Sequence, residues 1–351
     1  MTEDHLVSLG ELDRFCREAF LAVGANAETA DSATRAMMHG TTLGVDSHGV
    51  RLLPHYLTAL EGGRLNKNPQ PKKAGGFGAV EVWDADHAQG AVGTYRGMAR
   101  AIELAGSFGI GAVGVRNGSH FGPAGAYAIK AARAGMIGIT FCNSDSFVRL
   151  HDGAMRFHGT NPIAVAAPAP GQPWLLDMAT SAIPYNRVQL YQSLGVTLPE
   201  SVASDAQGID TRDAHLADML APVGAEFGFK GAALAGVVEI FSAVLTGMRL
   251  SFDILPMGGP DMETPREMGS FVLAVNPDAF TPRSTFDAGM ARYMNTLRNS
   301  PMREGCRVMA PGDREWLVAD ERRQNGVRLD PVTIAGFTDW ADKLGLSLPG
   351  A

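Results

Sequence analysis

Residues 111–143 constrain the fold of this chain more than any other stretch. Two short apolar runs, residues 111–115 and 136–141, lack the alternation of polar and apolar side chains that a half-exposed strand shows, so they predict strands buried on both faces. A polar glycine loop and a helix, predicted over residues 124–134, connect them. A strand, a loop, a helix and a second strand in this order indicate an α/β protein.

The loop between these strands contains His120, where a strand gives way to a helix. Pro123 suits the first turn of that helix, where its missing N–H costs nothing, and Gly118 and Gly122 let the backbone approach another group closely. Functional side chains collect at such junctions because a rigid scaffold holds them at an accessible edge. The position makes His120 a candidate site residue, with a structural histidine as the alternative.

Composition narrows the class of protein and its partners. A hydrophobic content of 45% and a charged content of 19% in 351 residues are typical of a compact protein with two or more domains. The net charge is −7 and the basic residues are scattered, so neither nucleic acid nor an anionic membrane is expected as a partner. Three distant cysteines without C-x-x-C spacing predict reduced thiols and a cytoplasmic protein (Cys16, Cys142 and Cys306).

The chain divides by texture into helical ends and an α/β centre. The first sixty residues read as helices, and short strand-like runs with glycine turns begin near residue 76. The most apolar stretch, residues 231–247, is shorter than the ~20 residues that span a bilayer and predicts a buried helix. After residue 256, a strand at 270–275 precedes three helices. We therefore expect an α/β domain over 76–255, inserted between mainly helical segments, 1–75 and 256–351, that come together.

A glycine pattern at residues 109–114 matches the dinucleotide fingerprint G-x-G-x-x-G only in its letters. The fingerprint must leave a strand and open a helix, so that pyrophosphate lies at the helix N-terminus. Here the pattern follows a helix and enters a strand. A dinucleotide bound by this chain would therefore need a cofactor domain that is not a Rossmann fold.

Residues 46–51 place several reactive side chains in one turn between two predicted helices. Ser47 supplies a hydroxyl, His48 an imidazole that titrates near neutral pH, and Arg51 a guanidinium that can bind a carboxylate. The alternative is a helix cap in which Asp46 or Ser47 accepts backbone N–H bonds. Both roles can hold together.

Other candidate groups follow predicted strands. Residues 143–146 and 177–181 carry hydroxyls and carboxylates suited to ribose or phosphate oxygens, and equally to turns. Lys230 stands at the start of the most apolar helix, where the macrodipole disfavours a cation unless an anion is near; an exposed amine is the alternative. The histidines lack metal-binding spacing, and no metal is expected.

Five motifs in fixed order resemble the malate/L-lactate dehydrogenase family over residues 8–345. They are Ser47-His48-Gly49, Ser119-His120-Phe121-Gly122, Gly159-Thr160-Asn161-Pro162, Asp177-Met178-Ala179-Thr180-Ser181 and Phe229-Lys230-Gly231. The family includes malate, sulfolactate and ureidoglycolate dehydrogenases, a diketogulonate reductase and cyclic-imine carboxylate reductases. The resemblance implies an NAD(P)-dependent oxidoreductase of small 2-hydroxy or 2-oxo acids, with a non-Rossmann cofactor domain, working as a homodimer.

The resemblance also implies roles for individual residues. His48 matches the acid/base with Ser47 as its relay, His120 matches the base of ureidoglycolate-type members, and Thr160 matches a position near the substrate. The positions that match cofactor contacts are Ser144, Asp145, Asp177, Met178, Ala179, Thr180, Lys230, Pro311 and Gly312. NAD is the expected cofactor, with NADP as the alternative.

The chain departs from the family pattern in two places. Many relatives carry an arginine at the position of Leu52, and Arg51 is therefore the candidate to bind the substrate carboxylate; relatives also carry Gly-Lys where this chain has Asn186-Arg187. The sequence leaves two further hypotheses open. One is an NADPH-dependent reductase of cyclic imine carboxylates, and the other is a non-catalytic nucleotide-binding relative.

Overall fold

The structure, a computed structural model, describes residues 6–350. The α-helices in this part of the chain are α1 (Leu9–Ala22), α2 (Ala27–Thr42), α3 (Leu53–Gly62), α4 (Gly90–Phe108), α5 (Gly125–Arg133), α6 (Tyr185–Leu194), α7 (Gly228–Glu239), α8 (Arg283–Arg298), α9 (Asp313–Asn325) and α10 (Pro331–Leu344). The strands are β1 (Leu6–Val7), β2 (Lys72–Phe77), β3 (Val80–Asp84), β4 (Ile110–Gly118), β5 (Ile137–Cys142), β6 (Val148–Arg149), β7 (Arg156–His158), β8 (Ile163–Ala167), β9 (Trp174–Met178), β10 (Ala203–Ser204), β11 (Met219–Leu220), β12 (Met268–Val275) and β13 (Val327–Arg328).

A seven-stranded mixed sheet forms the centre of the molecule, in the order β2-β3-β4-β12-β5-β8-β9. Strand β12 lies between β4 and β5 and is antiparallel to both, with Phe271 opposite Gly114 on one side and Phe141 on the other. The sequence-predicted division into domains at residues 75 and 255 stays a prediction. Strand β12 nevertheless shows that a segment from beyond residue 255 supplies the middle of the sheet.

Strand directions bring distant loops to one edge of this sheet, which we call the site edge. Strands β3, β4, β5 and β9 end at this edge, whereas β8 and β12 begin there. The loop after β4 carries His120, and the turn after β5 carries Ser144. Arg266, two residues before β12, is placed by strand register between these two loops.

Helices cover both faces of the sheet, as the unalternated strands β4 and β5 predict. Helices α4 and α5 pack on one face, and the end of α7 with its π-helical continuation, Ile240–Val244, packs on the other. Gly111 lies where β4 touches α4, and a Cβ there would overlap the carbonyl oxygen of Ala101. Close helix–strand packing therefore explains this glycine without a bound nucleotide.

The helical N-terminal segment packs against the C-terminal helix. A capping box opens α1, with the Ser8 hydroxyl accepting from the Glu11 N–H at 3.2 Å. The core formed by α1, α2, α3 and α10 includes Phe15 and Phe337, whose ring centroids lie 4.9 Å apart. This core holds the loop after α2, which contains Ser47 and His48, against the sheet.

The prediction of a buried helix over residues 231–247 is wrong for one face of α7 and its continuation. Its inner face carries Ala235, Val238 and Glu239, which are buried. Its outer side chains are large, apolar and exposed: Phe229, Leu234, Val237, Ile240, Val244 and Leu245. Apolar composition indicates a surface that something covers, but it does not show that the same chain covers it.

The helical run Ala225–Val244 also passes a length and composition test for a membrane span, with a mean hydropathy of 1.5. Core helices of water-soluble proteins pass the same test. The Glu239 carboxylate, near the end of this run, accepts hydrogen bonds from the Asn161 amide at 2.9 Å and the Ser251 N–H at 2.6 Å. The inner face is thus a polar contact to the sheet, and not a surface for lipid.

Candidate active site

Two short 3-10 turns between α2 and α3 hold Ser47 and His48. The Asp46 carboxylate, just before them, forms a two-pronged ion pair with Arg322 at 2.5 and 2.8 Å. The Thr41 hydroxyl accepts the Val50 N–H at 2.9 Å on the other side of the turn. The loop is therefore fixed at both ends, and the Ser47 hydroxyl lies 2.9 Å from Nδ1 of His48.

The loop after β4 brings His120 next to His48. Their ring centroids are 5.7 Å apart. The Tyr56 hydroxyl lies 2.7 Å from Nδ1 of His120, and the Gln89 side chain donates to the His120 carbonyl oxygen at 3.1 Å. Tyr56 and Gln89 were missed by sequence reasoning, because nothing in the local sequence indicates that either one faces a loop so far along the chain.

Both histidines are uncharged at neutral pH. Burial lowers the pKa of His48. Burial lowers the pKa of His120 further, to well below its usual value, and the charges of His48, Arg266 and His55 add to the effect. Since both imidazoles keep partial exposure, a small molecule can reach them, and His48 is the easier of the two to protonate.

Arg51, the sequence candidate for the substrate carboxylate, is paired elsewhere. Its guanidinium lies 2.6 Å from the carboxylate of Asp330, the residue that caps the N-terminus of α10. Both side chains are 39% exposed. A contact between Arg51 and the substrate stays a prediction, and it would have to compete with this ion pair.

Asp145 and Ser144 follow β5 but face different partners. The Asp145 carboxylate pairs with buried Arg266 and accepts the Met257 N–H at 3.1 Å. The Ser144 hydroxyl accepts the Thr160 N–H at 3.2 Å. Asp145 is therefore committed to the protein, whereas Ser144 and Thr160, both half-buried, lie together at the site edge.

The end of β9 and the loop after it carry one structural residue, Thr180, and three accessible ones. The buried Thr180 hydroxyl donates to the carbonyl oxygens of Thr160 and Asn161, each at 3.1 Å, so its predicted cofactor contact stays a prediction. The Asp177 carboxylate accepts the Gly125 N–H at 2.8 Å, at the N-terminus of α5. Met178 and Ala179 follow it and are half-buried.

Asp177 combines exposure with poor solvation. Its carboxylate is open to solvent on one side and is surrounded by protein on the others, and this burial raises its pKa to about 6. The Gly125 N–H opposes the shift by stabilising the charged form. With this pKa the group is mostly a carboxylate at neutral pH and accepts hydrogen bonds, which suits a ribose hydroxyl.

The remaining predicted cofactor positions lie in two places. The Pro311 carbonyl oxygen accepts the Leu175 N–H of β9 at 3.2 Å, and Gly312 follows with a φ of 95° at the start of α9. Lys230 is exposed on α7, and its ammonium lies 5.1 Å from the centre of the Phe227 ring. Within residues 6–350, no anionic side chain pairs with it.

The donor set at the site edge fits a nicotinamide dinucleotide. Hydroxyl and carboxyl groups at the ends of β5 and β9 can bind ribose, and the exposed Lys230 ammonium can bind phosphate. Gly122, in the loop before α5, has a φ of 78°, a backbone conformation that favours glycine, and it packs beside the His48 carbonyl oxygen and the Tyr56 hydroxyl. In residues 6–350, no group of His, Cys, Asp or Glu side chains is arranged to hold a metal ion.

Comparison with known proteins identifies the family of this chain. The family model described as malate/L-lactate dehydrogenase matches residues 7–337. The chain belongs to this family. It is 33% identical to the malate dehydrogenase of Pyrococcus abyssi over 344 residues, which cover 96% of this chain and 94% of that protein.

Two further members of the malate/L-lactate dehydrogenase family support the assignment. The (2R)-3-sulfolactate dehydrogenase (NADP(+)) of Chromohalobacter salexigens is 32% identical over 324 residues, covering 91% of this chain and 93% of that protein. The crystal structure of malate dehydrogenase from Entamoeba histolytica superposes with a TM-score of 0.93 at 29% identity, covering 99% and 100% of the two chains. The α/β fold predicted from sequence is therefore confirmed.

Membership of the malate/L-lactate dehydrogenase family establishes the class of reaction. The protein is an oxidoreductase that transfers a hydride between a nicotinamide cofactor and a small 2-hydroxy or 2-oxo acid. The sequence-based assignments of family, enzyme class and substrate class are confirmed.

Proposed function

We propose that this protein is an NAD-dependent 2-hydroxy acid dehydrogenase in which His48 exchanges the proton with the substrate oxygen. The observation that carries the proposal is the pair of uncharged imidazoles with centroids 5.7 Å apart, each tied at Nδ1 by a hydroxyl group. This arrangement leaves both Nε2 atoms free for the substrate. The bound cofactor supplies the hydride acceptor or donor.

Ser47 sets the form of His48 in this proposal. When the Ser47 hydroxyl accepts a hydrogen bond from the Nδ1–H group of His48, the Nε2 atom carries no proton. It is then a base that can take the hydroxyl proton of a 2-hydroxy acid. In the reverse direction, the protonated imidazole returns that proton to the oxygen of the 2-oxo acid. His48 suits this role because its pKa is lowered less than that of His120.

His120 acts as a neutral hydrogen-bond donor beside His48. The pKa of the Tyr56 phenol is raised by burial, so the hydroxyl stays protonated and donates to Nδ1 of His120. The proton of the imidazole then resides on Nε2, where it can polarise the substrate oxygen. A proton on His48 further disfavours a charge on His120, so the pair carries one positive charge at most.

We also propose NAD as the physiological cofactor, since the predicted contacts after β9 include the carboxyl group of Asp177. A carboxyl group suits the ribose hydroxyls of NAD and repels the additional phosphate of NADP. Lys230 is the one exposed cation among the predicted contacts. Turnover with NADPH equal to that with NADH would contradict this choice.

A homodimer in the cytoplasm completes the proposal. The exposed apolar side chains of α7 and its π-helical continuation form a surface that a second copy would cover. Light scattering should give twice the monomer mass, and Val237→Asp should reduce it. The cytoplasmic location rests on three free cysteines, Cys16 and Cys142 buried and Cys306 exposed.

The test is nicotinamide absorbance with a panel of 2-oxo acids, 2-hydroxy acids and cyclic imino acids. Reduction of 2-oxo acids with NADH is the expected result. Exclusive turnover of pyrroline- or piperideine-2-carboxylate with NADPH would replace the proposal by the cyclic-imine reductase. Cofactor binding without any turnover, unchanged by His48→Ala and His120→Ala, would favour a non-catalytic relative.

A further inference from the structure

Glu239 is a buried carboxylate that connects α7 to the site edge. It is 7% exposed and is the last residue of α7, just before the π-helical turn. Its Oε1 atom accepts the Ser251 N–H at 2.6 Å and the Asn143 amide at 3.3 Å. Its Oε2 atom accepts the Ser251 hydroxyl at 2.6 Å and the Asn161 amide at 2.9 Å. These uncharged donors offset the cost of burying the charge.

The two asparagines stand next to two accessible residues of the site edge. Asn143 directly precedes Ser144 in the turn after β5, and Asn161 directly follows Thr160 in the loop before β8. The two loops also contact each other, since the Ser144 hydroxyl accepts the Thr160 N–H at 3.2 Å. Glu239 is therefore joined, through one asparagine in each loop, to the segments that carry a predicted cofactor contact and a predicted substrate contact.

The orientation of the Asn161 amide depends on Glu239. Its NH2 group donates to Glu239 and to the Ala235 carbonyl oxygen at 3.1 Å, whereas its Oδ1 atom accepts the Ser144 N–H at 3.3 Å. Exchanging oxygen and nitrogen would set acceptor against acceptor at Glu239 and Ala235, and donor against donor at Ser144. The Asn161 φ of 36° lies in the left-handed region, where residues other than glycine are uncommon, so these side-chain contacts hold a strained backbone.

We propose that Glu239 is a positioning residue for ligand binding, which acts through Asn143 and Asn161 on Ser144 and Thr160. It fixes where the hydroxyl and N–H groups of these two loops stand before the cofactor and the 2-oxo acid arrive. The inference rests on the proposed function, because it takes Ser144 and Thr160 as contacts of the nicotinamide cofactor and the substrate. Glu239 should affect binding more than the chemical step, since proton transfer belongs to the histidine pair.

Glu239→Gln keeps the size of the side chain but replaces one acceptor by a donor. At the place of Oε1, the new NH2 group would face the Ser251 N–H and the Asn143 amide, which are both donors. At the place of Oε2, it faces the Ser251 hydroxyl, which can turn to accept, and the Asn161 amide, which cannot. The second arrangement is the better one, and its conflict lies at Asn161.

The experiment measures Kd by fluorescence titration with NADH and with NADPH, and KM and kcat with the 2-oxo acids that the wild type reduces. In Glu239→Gln, Kd and KM should rise by about tenfold, the usual effect of one lost hydrogen bond to a charged group, whereas kcat should stay within about twofold. Glu304→Gln makes the same change at an exposed residue and should leave all three constants unchanged. Leu104→Ala removes a buried side chain beside Gly111, at the opposite edge of the sheet, and should lower stability but not cofactor affinity.

A double-mutant cycle tests whether Glu239 acts through Asn161. Asn161→Gly is the second variant, because glycine adopts a φ of 36° without strain. If Glu239 acts through this side chain, the effects on Kd overlap, and the double variant should bind the cofactor about as well as Asn161→Gly does. Fully additive effects would overturn the connection through Asn161.

The outcomes separate the positioning role from the proposed function. Unchanged Kd and KM in Glu239→Gln, or an equal rise in Leu104→Ala, overturns the positioning role and leaves the proposed function intact. Cofactor binding that is weaker in Glu239→Gln but not in Leu104→Ala, in a protein inactive on every 2-oxo acid, supports the positioning role and overturns the proposed function.

Discussion

The histidine pair and the outer face of α7 differ in whether the chain itself provides partners for their side chains. His48 and His120 are each held by a hydroxyl group of the same chain, at 2.9 and 2.7 Å. Phe229 and Val244, on the outer face of α7, are 52% and 63% exposed, and Lys230 beside them contacts only aromatic rings. The chain itself thus supplies partners for the two imidazoles, whereas it leaves the outer face of α7 largely exposed within residues 6–350.

The largest expected effect comes from substitutions in the histidine pair. His48→Ala should lower kcat by about 10²–10⁴, the usual size of a general acid/base contribution. His120→Ala removes the hydrogen bond that polarises the substrate oxygen, and it should lower kcat by less than His48→Ala does. Steady-state kinetics from pH 5 to 10 measures both. If His120→Ala abolishes turnover while His48→Ala stays active, the two roles are exchanged.

The next effect tests the polar contact between the inner face of α7 and the site. Glu239→Ala removes the acceptor for the Asn143 and Asn161 amides and for Ser251, and should lower the free energy of unfolding by about 1–3 kcal/mol. Urea unfolding measures this loss. Glu226→Ala, which changes an exposed residue just before α7, is the control and should be close to neutral. Equal stabilities of the two variants would show that the network does not hold α7.

Tyr56→Phe should loosen the position of His120 without changing the fold. The variant keeps the ring but removes the hydroxyl that fixes His120, and kcat/KM should fall by about tenfold, equivalent to about 1.4 kcal/mol. Circular dichroism should show an unchanged fold. A kcat/KM equal to that of the wild type would mean that the tautomer of His120 does not matter for the reaction.

The pH dependence of stability tests the lowered pKa values of His48 and His120. Both folded-state pKa values lie below the ordinary 6.5, so the unfolded chain binds more protons as the pH falls through 6.5, and stability is lost below that pH. The double variant His48→Gln/His120→Gln should lose less stability between pH 7 and pH 5 than the wild type. The free energy of unfolding can be measured by urea unfolding at each pH. An equal loss of that free energy in the double variant and the wild type would contradict the lowered pKa values.

The smallest effect is expected at Lys230, on the exposed face of α7. Lys230→Ala should raise the dissociation constant of the cofactor severalfold, about 1 kcal/mol, with little change in kcat. The effect should shrink at high salt because exposed charges are screened. Fluorescence titration with NADH measures it. A fall in kcat without a change in cofactor affinity would place Lys230 among the groups that act on the substrate.

Much of the fold could be read from local sequence, because its signals are local. The strands β4 and β5 and the helix α5 overlap the predicted ranges 111–115, 136–141 and 124–134. The central position of β12 could not be predicted, since pairing between strands separated by more than a hundred residues leaves no local periodicity. The same limit applies to the exposed face of α7.

Motif order alone determined the family, the reaction class and the candidates Ser47, His48 and His120. Only the tertiary structure decided which groups meet. It paired Arg51 with Asp330 and gave His120 a tyrosine partner. It also buried two arginine side chains, Arg64 and Arg266. The physical reason is that residue type fixes what a side chain can do, whereas its pKa and partners depend on burial and on groups that only folding brings within a few ångströms.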